Sequence, residues 1–400
     1  MKEVIIHIGT HKTGTTTIQK SLKDYKDETT RVASFREENH SIPMFTIFSE
    51  HRYHYHIWRK NNLKKAGIDA YRAEYLKILE ADLADDQYDR LIISGEDMSI
   101  LDPADKHALV EKLRSTGANV KVIVFTRSPC GFACSALQQR AKGGAKEWGT
   151  VNVDYRNKIG PFLDSVGKEN ITVCDFDYVL ANKLSLIDYF SEILGLKLHS
   201  PETQNESVTV QALALIHKLN NVPLKVLANA ERWGTRQRFV RTISEMFPAS
   251  SDYPRLDPGY FSSFLSPTVK EDCLWLQDTF GLNYSYEADA DKSLSDYLEE
   301  SLVGCESELT SLFSGFGSVY DRQSPLEDNF LEAYIASFIA AKGLLENDAD
   351  FLRDIADKID KKGQLNKSDS LMLMKLAVRA RPYGPYIRKR VEELSAALNA

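Results

Sequence analysis

Residues 4–17 read VIIHIGTHKTGTTT, and this stretch predicts how the chain begins to fold. Its first half is a short apolar run, typical of a fully buried strand, that ends at Gly9. A second glycine, Gly14, and three threonines precede a stretch with helical spacing. A glycine turn that leads into a helix N-terminus offers backbone N–H groups and a positive dipole end. We therefore predict a phosphate-binding loop, to which Lys12 adds a full positive charge.

Short apolar runs of the same kind recur through the first half of the chain, and stretches with helical spacing separate them. The runs occupy residues 31–35, 90–94, 120–126 and 171–175. This alternation predicts an α/β fold, a three-layer P-loop-type parallel sheet flanked by helices. The later sequence is mainly helical. We therefore predict an α/β domain over residues 1–287 and an all-helical C-terminal extension over residues 288–400.

Composition limits the classes of partner. The chain has 400 residues and a formal net charge of -7, which disfavours a protein that binds nucleic acid over a broad surface. Its five cysteines form no CxxC pair, so we expect free thiols rather than a disulfide framework or a structural zinc site. No apolar run approaches the ~20 residues that span a bilayer, and the N-terminal run is too short for a signal peptide. We expect a cytoplasmic protein without an integral membrane segment.

The loop departs from the pattern of nucleotide kinases, GxxxxGK[ST]. Gly9 and Gly14 match its spacing, but Thr15 stands where the lysine belongs, and Lys12 comes before the second glycine. ATPases and GTPases use that lysine on the β- and γ-phosphates. The departure argues against a nucleoside or metabolite kinase, which we keep as the alternative interpretation. A simple turn capped by threonine is the plainest one.

The string GTHKTGTT resembles the 5′-phosphosulfate loop of the sulfotransferase family that uses 3′-phosphoadenosine 5′-phosphosulfate (PAPS). The bacterial carbohydrate-sulfotransferase-like branch and the heparan-type branch are the most similar. The resemblance implies that Lys12 contacts the bridging oxygen of the phosphosulfate and stabilises the leaving group. It also implies that the donor is bound by the rest of the loop, namely His11, Thr13, Gly14, Thr15, Thr16 and Thr17.

A second signature follows the run VIVFT, where Arg127 stands at the predicted strand end and Ser135 lies eight residues later on the next predicted helix. In the family that this sequence resembles, such an arginine and serine bind the 3′-phosphate of the donor. An arginine offers a rigid fork of donors that suits a phosphate dianion. An arginine after a strand is common by itself, so the weight lies in its occurring together with the loop. The resemblance covers about residues 1–285.

The general base is the third element that the chemistry needs, because the attacking hydroxyl must lose a proton. Glu96 follows the run LIISG, at a strand end where open α/β sheets place their sites, and the resemblance implies that it is the base. A solvated loop carboxylate is the plainer interpretation. A histidine of residues 51–56, HRYHYH, is the alternative base, although that segment could equally bind the acceptor or form ordinary surface. A metal is not obligatory for sulfuryl transfer, and we predict no metal site.

Together these patterns predict a sulfotransferase that moves a sulfuryl group from PAPS to a hydroxyl or amine of an acceptor, by in-line displacement. The resemblance points to a carbohydrate acceptor and to a bacterial protein. A non-catalytic nucleotide-binding scaffold remains a second alternative, in which the helical C-terminus recruits a partner. That same C-terminus could also form a homo-oligomer.

Overall fold

The computed structural model describes residues 1–23, 25–201, 207–222, 229–286, 293–342, 346, 348–362 and 367–399. Contacts within the chain divide it into two compact units. The first contains Met1–Ala136, Gly149–Glu206 and Pro258–Asp291; the second contains Leu137–Trp148, Ser207–Asp257 and Lys292–Ala400. The expected division into residues 1–287 and 288–400 concerns which parts fold independently, and it stays a prediction.

The first unit holds a five-stranded parallel sheet, so the predicted α/β class is confirmed. The strand order is β2-β3-β1-β4-β5. The strands are β1 (Glu3–His7), β2 (Thr30–Val32), β3 (Arg90–Ser94), β4 (Asn119–Thr126) and β5 (Ile171–Asp175). β1 pairs with β3 on one side and β4 on the other, so the strand that leads into the predicted phosphate loop lies at the centre.

Helices of the first unit cover both faces of this sheet. They are α1 (Thr15–Leu22), α2 (Ser41–Phe48), α3 (His56–Lys60), α4 (Lys65–Ala84), α5 (Pro103–Arg114), α7 (Tyr155–Val166), α8 (Phe176–Ala181), α9 (Leu186–Leu194) and α12 (Val269–Phe280). Helix α6 (Pro129–Lys142) begins in this unit. On one face, Ile18 of α1 and Phe190 of α9 are buried against Ile5 and Phe125 of the sheet. Helices α5 and α7 pack on the sheet through β4.

The second unit is helical in the part that the structure describes. Its helices are α10 (Val210–Asn221), α11 (Asn229–Met246), α13 (Leu294–Glu300), α14 (Glu306–Gly315), α15 (Leu326–Lys342), α16 (Asp348–Lys362), α17 (Lys367–Ala380) and α18 (Pro385–Asn399). Aromatic rings form its core: Phe239 stacks on Phe316 and lies edge-on to Phe330. The C-terminal region is thus helical as predicted, and its role in assembly stays a prediction.

Two further predictions concern the cysteines and membrane-spanning helices. None of the five cysteines is in a disulfide, and four of them are buried. Within the described ranges, no helix combines the length and the apolar character that crossing a membrane requires.

The strand end that carries Glu96 depends on a glycine. A Cβ placed on Gly95 would lie 2.7 Å from the carbonyl carbon of His40 and 2.8 Å from Cα of Ser41. The same contact is held by a hydrogen bond, since the His40 N–H donates to the Ser94 carbonyl at 2.9 Å. Only a residue without a side chain lets α2 begin this close to the end of β3.

We expect Gly95→Ala to lower the free energy of unfolding by about 2–3 kcal/mol, because two backbone segments would have to separate. Urea titrations followed by circular dichroism measure this. The matched control is Gly234→Ala on α11, where an added Cβ would meet nothing within 4 Å. That change should raise stability by up to about 1 kcal/mol. Equal effects of the two variants would contradict the steric argument.

Candidate active site

The predicted phosphate loop, residues 8–14, joins β1 to α1 through backbone that favours glycine. Gly9 has φ +96° and Gly14 has φ +76°, and Lys12 between them also has a positive φ, of 67°. Gly14 is the N-cap of α1, and no side chain caps the helix there. The first turn of α1 thus keeps the open N–H groups and the positive dipole end that bind an anion.

Hydrogen bonds to β4 hold this loop in place. The Thr10 N–H and hydroxyl both donate to the Phe125 carbonyl, at 2.8 and 3.1 Å. The Phe125 N–H donates back to the Gly9 carbonyl at 2.6 Å. The hydroxyl of Thr13 donates to the Thr10 carbonyl at 2.6 Å, so it is used inside the loop. Any contact of Thr13 with an anion would therefore come from its backbone.

The three threonines of the first helical turn differ in exposure. Thr15 is buried, Thr16 is exposed and Thr17 is half-buried. The Thr17 N–H already donates to the Gly14 carbonyl at 2.9 Å. The open backbone donors of this turn therefore precede Thr17, and the Thr16 side chain has the readiest access to solvent.

Glu96 lies directly against the loop. A Cβ on Gly9 would come within 3.0 Å of the Glu96 Cβ and 3.1 Å of its Cα. Glu96 begins a short 3-10 turn, Glu96–Ile100, just past the end of β3. Its Oε2 accepts a hydrogen bond from Gln19 Nε2 of α1 at 2.9 Å, which fixes the orientation of the half-buried carboxylate. The structure thus brings the predicted base and the predicted loop together.

A second carboxylate, Asp97, holds a histidine of the loop. His11 Nε2 lies 2.7 Å from Asp97 Oδ1, and the Tyr55 hydroxyl donates to Asp97 Oδ2 at 2.5 Å. The Asp97 side chain is only 7% exposed. Burial alone would raise the pKa of Asp97, but the hydrogen bonds from His11 and Tyr55 outweigh it and hold the pKa below the usual value. An ionised Asp97 that accepts from Nε2 leaves Nδ1 as the ring nitrogen of His11 available to a ligand.

Arg127 follows β4 and reaches the loop from the other side. Its Nη1 donates to the Lys12 carbonyl at 3.4 Å, and its Nε donates to Asp177 Oδ1 at 3.2 Å. Asp177 Oδ2 also accepts from the Ser128 N–H at 2.6 Å, and the guanidinium lies over the Phe176 ring. These contacts fix an arginine whose side chain is 18% exposed.

Helix α6 carries the partner that the sequence predicts for Arg127. Ser135 is half-buried on this helix, one turn after Gly131. A Cβ on Gly131 would lie 2.8 Å from Arg127 Nε and from Ser128 Oγ, so this glycine makes room for the arginine. Gly131 was not among the predicted site residues, and neither was Asp177. The position of Asp177 just after β5 is the signal that could have identified it.

The histidine-rich segment, residues 51–56, contacts the site through a tyrosine, whereas its histidines are exposed. His51, His54 and His56 are exposed, and His51 pairs with Asp102 at 3.3 Å. Tyr55 is buried, stacks on Phe45 and bonds Asp97, and Trp58 is buried as well. The segment therefore meets the site through Tyr55, a residue that the sequence did not single out as functional.

Two further histidines are fully buried near the strand ends. Burial lowers the pKa of His7 to about 3 and that of His40 to about 4, so both are neutral near pH 7. His7 Nδ1 lies 2.8 Å from the Ser94 hydroxyl, and the Ser94 N–H donates to His40 Nδ1 at 3.1 Å. These neutral rings support the end of β3 rather than adding charge to the site.

As for metals, the described residues contain no group of three or more histidine, cysteine, aspartate or glutamate side chains arranged to hold an ion. The cations of the site are Lys12 and Arg127, and its carboxylates are Glu96, Asp97 and Asp177. Such a set can bind a dianionic ligand, neutralise charge on a leaving group and accept a proton.

Comparisons with known proteins add little to this geometry. No family model matches the sequence, and no curated protein matches it significantly. One solved structure that matches is titled a sulfotransferase from Alicyclobacillus acidocaldarius. The two sequences are 13% identical. Their alignment covers 55% of this chain and 93% of the solved chain, with a TM-score of 0.32. A likeness of this degree carries no argument about function.

Asp97→Asn tests whether the ionised carboxylate holds the loop. Because the pKa of Asp97 is below its usual 3.8 in the folded chain, the ionised form stabilises the fold above that pH and the benefit is lost as pH falls. We expect the variant to lose about 2 kcal/mol of unfolding free energy at neutral pH. The loss should shrink below pH 3.8. Urea titrations across pH measure it, with the exposed Asp89→Asn as control; a loss that is the same at every pH would contradict the assignment.

Proposed function

We propose that this chain is a sulfotransferase that moves a sulfuryl group from PAPS to a hydroxyl or amine of a carbohydrate acceptor. The observation that carries the proposal is the meeting of two anion-binding elements. Arg127, after β4, donates to the carbonyl of Lys12 in the loop after β1. A donor that carries phosphate on both the 5′ and the 3′ position of its ribose needs two such elements, and a simple phosphate site needs only one.

The loop would bind the 5′ end of the donor. The uncapped first turn of α1 supplies backbone donors to the 5′-phosphate, and the exposed Thr16 hydroxyl adds another. Lys12 would stabilise charge on the oxygen that bridges phosphorus and sulfur. His11, whose Nε2 bonds Asp97, could donate to the same group from Nδ1 only as the doubly protonated imidazolium.

Arg127 and Ser135 would bind the 3′-phosphate. Asp177 accepts a hydrogen bond from Nε of Arg127. The Nη groups then face the loop, where Nη1 donates to the Lys12 carbonyl. A phosphate that replaces or extends this weak 3.4 Å contact would gain charge-assisted hydrogen bonds. Ser135 adds a hydroxyl from the next helix.

The transfer itself would be a direct displacement. The acceptor oxygen or nitrogen attacks sulfur, and the bond between sulfur and the bridging oxygen breaks, with its electron pair leaving on the 5′-phosphate. Glu96 takes the acceptor proton, and Lys12 offsets the new charge on the leaving group. Glu96 packs against Gly9, so the proposed base would stand beside the loop that is proposed to bind the 5′ end of the donor. The mechanism needs no metal, because the sulfuryl group carries less charge than a phosphoryl group.

Calorimetric titration with 3′-phosphoadenosine 5′-phosphate in EDTA tests the donor class. We expect the wild type to bind, and Arg127→Ala to bind about ten- to hundredfold more weakly, because a charged hydrogen bond to the 3′-phosphate is lost. Arg114→Ala is the matched control, since this arginine ends α5 before the opposite edge of the sheet. Binding of magnesium-ATP without the bisphosphate would overturn the proposal in favour of a kinase. Binding of neither would overturn it in favour of a scaffold.

Glu96→Gln tests the base with the slow transfer of sulfate from PAPS to water. We expect the rate to fall by about 10²–10⁴-fold while bisphosphate binding is retained, because the amide cannot accept the proton. Chromatography of the released bisphosphate measures the rate. The exposed Asp89→Asn, just before β3 at the other end of that strand, is the control carboxylate. A normal rate for Glu96→Gln together with a lost rate for His51→Gln would move the base to the histidine-rich segment.

A further inference from the structure

Two buried tyrosines contact the chain around Arg127, and neither has been assigned to the site so far. Tyr155 begins α7, and Tyr284 lies shortly after α12. Their exposed fractions are 0% and 6%. Burial raises the pKa of both hydroxyls, so each keeps its proton near pH 7 and can donate one hydrogen bond. Both hydroxyls bond residues at the ends of β4 and β5.

The Tyr155 hydroxyl bonds both backbone groups of Arg127. It donates to the Arg127 carbonyl, and it accepts from the Arg127 N–H at 3.4 Å. Arg127 is the first residue past β4, whose last residue, Thr126, pairs with Asp175 of β5. Backbone groups beyond the last pair of a sheet need other partners. One hydroxyl therefore replaces the missing strand and fixes the backbone from which the guanidinium extends.

Tyr284 supports the carboxylate that orients Arg127. Its hydroxyl donates to Asp175 Oδ1 at 3.0 Å and lies 2.9 Å from the Thr126 hydroxyl. The same Asp175 oxygen accepts from the Asp177 N–H at 2.9 Å and so caps the first turn of α8. Asp177 in turn accepts from Arg127 Nε. Tyr284 is thus linked to the guanidinium through two carboxylates.

The residues on both sides of Arg127 are anchored as well. Before it, the Thr126 hydroxyl meets the Tyr284 hydroxyl. After it, the Ser128 N–H donates to Asp177 Oδ2 at 2.6 Å. An arginine that is held both by its backbone and at Nε keeps little freedom beyond the orientation of its Nη groups. Such preorganisation lowers the cost of ordering a long side chain when a phosphate binds.

We infer that Tyr155 and Tyr284 are positioning residues, which hold Arg127 where it can bind the 3′-phosphate of a nucleotide. Because both are buried, they act through Arg127 rather than by touching the ligand. The inference rests on the proposed function, since it takes the 3′-phosphate as the ligand of Arg127. Their hydroxyls should therefore matter for the 3′-phosphate and not for the 5′-phosphate, which the loop after β1 would bind.

Calorimetric titrations with two nucleotides test the inference: 3′-phosphoadenosine 5′-phosphate and adenosine 5′-phosphate. Their difference in affinity isolates the 3′-phosphate. We expect the wild type to bind the bisphosphate at least about tenfold more tightly. Tyr155→Phe should reduce this ratio about two- to tenfold, the worth of one hydrogen bond, while the affinity for adenosine 5′-phosphate stays within about twofold. Tyr284→Phe should act in the same direction.

Tyr75→Phe is the matched control. Tyr75 lies on α4 and is only 2% exposed, and its hydroxyl also donates to a carboxylate. That carboxylate belongs to Glu37, which follows β2 at the other edge of the sheet. The change removes the same kind of buried hydrogen bond, so the ratio of the two affinities should remain that of the wild type.

A double-mutant cycle separates positioning from a general loss of structure. If Tyr155 acts through Arg127, Tyr155→Phe should change bisphosphate affinity by less than about twofold once Arg127 is already alanine. A tyrosine with only a structural role would weaken both nucleotides alike, and would do so in both backgrounds. Thermal melting checks that each variant folds, and the same cycle with Tyr284→Phe decides the matter if Tyr155→Phe does not.

If the wild type prefers the bisphosphate and both phenylalanine variants keep the full preference, the tyrosines do not position Arg127, and the proposed function stands. Equal weakening of the two nucleotides would also overturn the inference and leave the proposed function intact. If the wild type binds the two nucleotides equally, or binds neither, the proposed function is wrong and the inference falls with it.

Discussion

The hydrogen bonds between the loop and β4 are the constraint on which the site depends. Gly9 and Thr10 exchange three hydrogen bonds with the backbone of Phe125, two residues before Arg127. The loop backbone is thereby set in register with the strand that carries the arginine. Because β1 and β4 are neighbouring parallel strands, their carboxyl ends open on the same edge, and the Arg127 side chain needs only a short reach to the Lys12 carbonyl. Loss of this register would separate the two cations that the proposed donor requires.

Two basic side chains of the site are each oriented by a carboxylate that follows a different strand. Asp97, after β3, holds His11, and Asp177, after β5, holds Arg127. The carboxylates partly offset the positive charge while the site is empty, and they restrict the side chains to the positions in which a phosphate could use them. Such preorganisation lowers the cost of ordering flexible cations when a ligand binds. A net charge of -7 is compatible with the proposed anion site, because salt screens distant charges and the local field dominates.

The sheet could be predicted from the sequence because fully buried parallel strands are apolar throughout. The predicted run at residues 90–94 coincides with β3, and the one at residues 171–175 coincides with β5. The contacts between elements could not be predicted in the same way. Gln19 is an ordinary polar residue of an amphipathic helix, and only the folded chain brings it to Glu96. Tyr55 belongs to the histidine-rich segment, in which the sequence drew attention to the histidines. The histidines are exposed to solvent, whereas Tyr55 is buried.

The position of Gly9 bears on the choice between Glu96 and a histidine as base. Gly9 has no side chain, and its Cα lies so close to Glu96 that a Cβ would be in tight contact with it. Nothing bulkier than a hydrogen therefore separates the turn of the loop from the backbone of the glutamate. In the described part of the chain, no hydrogen bond joins the histidines of residues 51–56 to the loop. Their segment meets the site at Asp97, through the Tyr55 hydroxyl and through the electrostatic effect of His56, which helps to lower the pKa of Asp97. Proton transfer requires the base to lie within hydrogen-bond reach of the attacking atom, which in the proposed transfer would approach sulfur opposite the bridging oxygen. Among these candidates, Glu96 is the one whose backbone lies directly against the loop, which favours it as the proposed base.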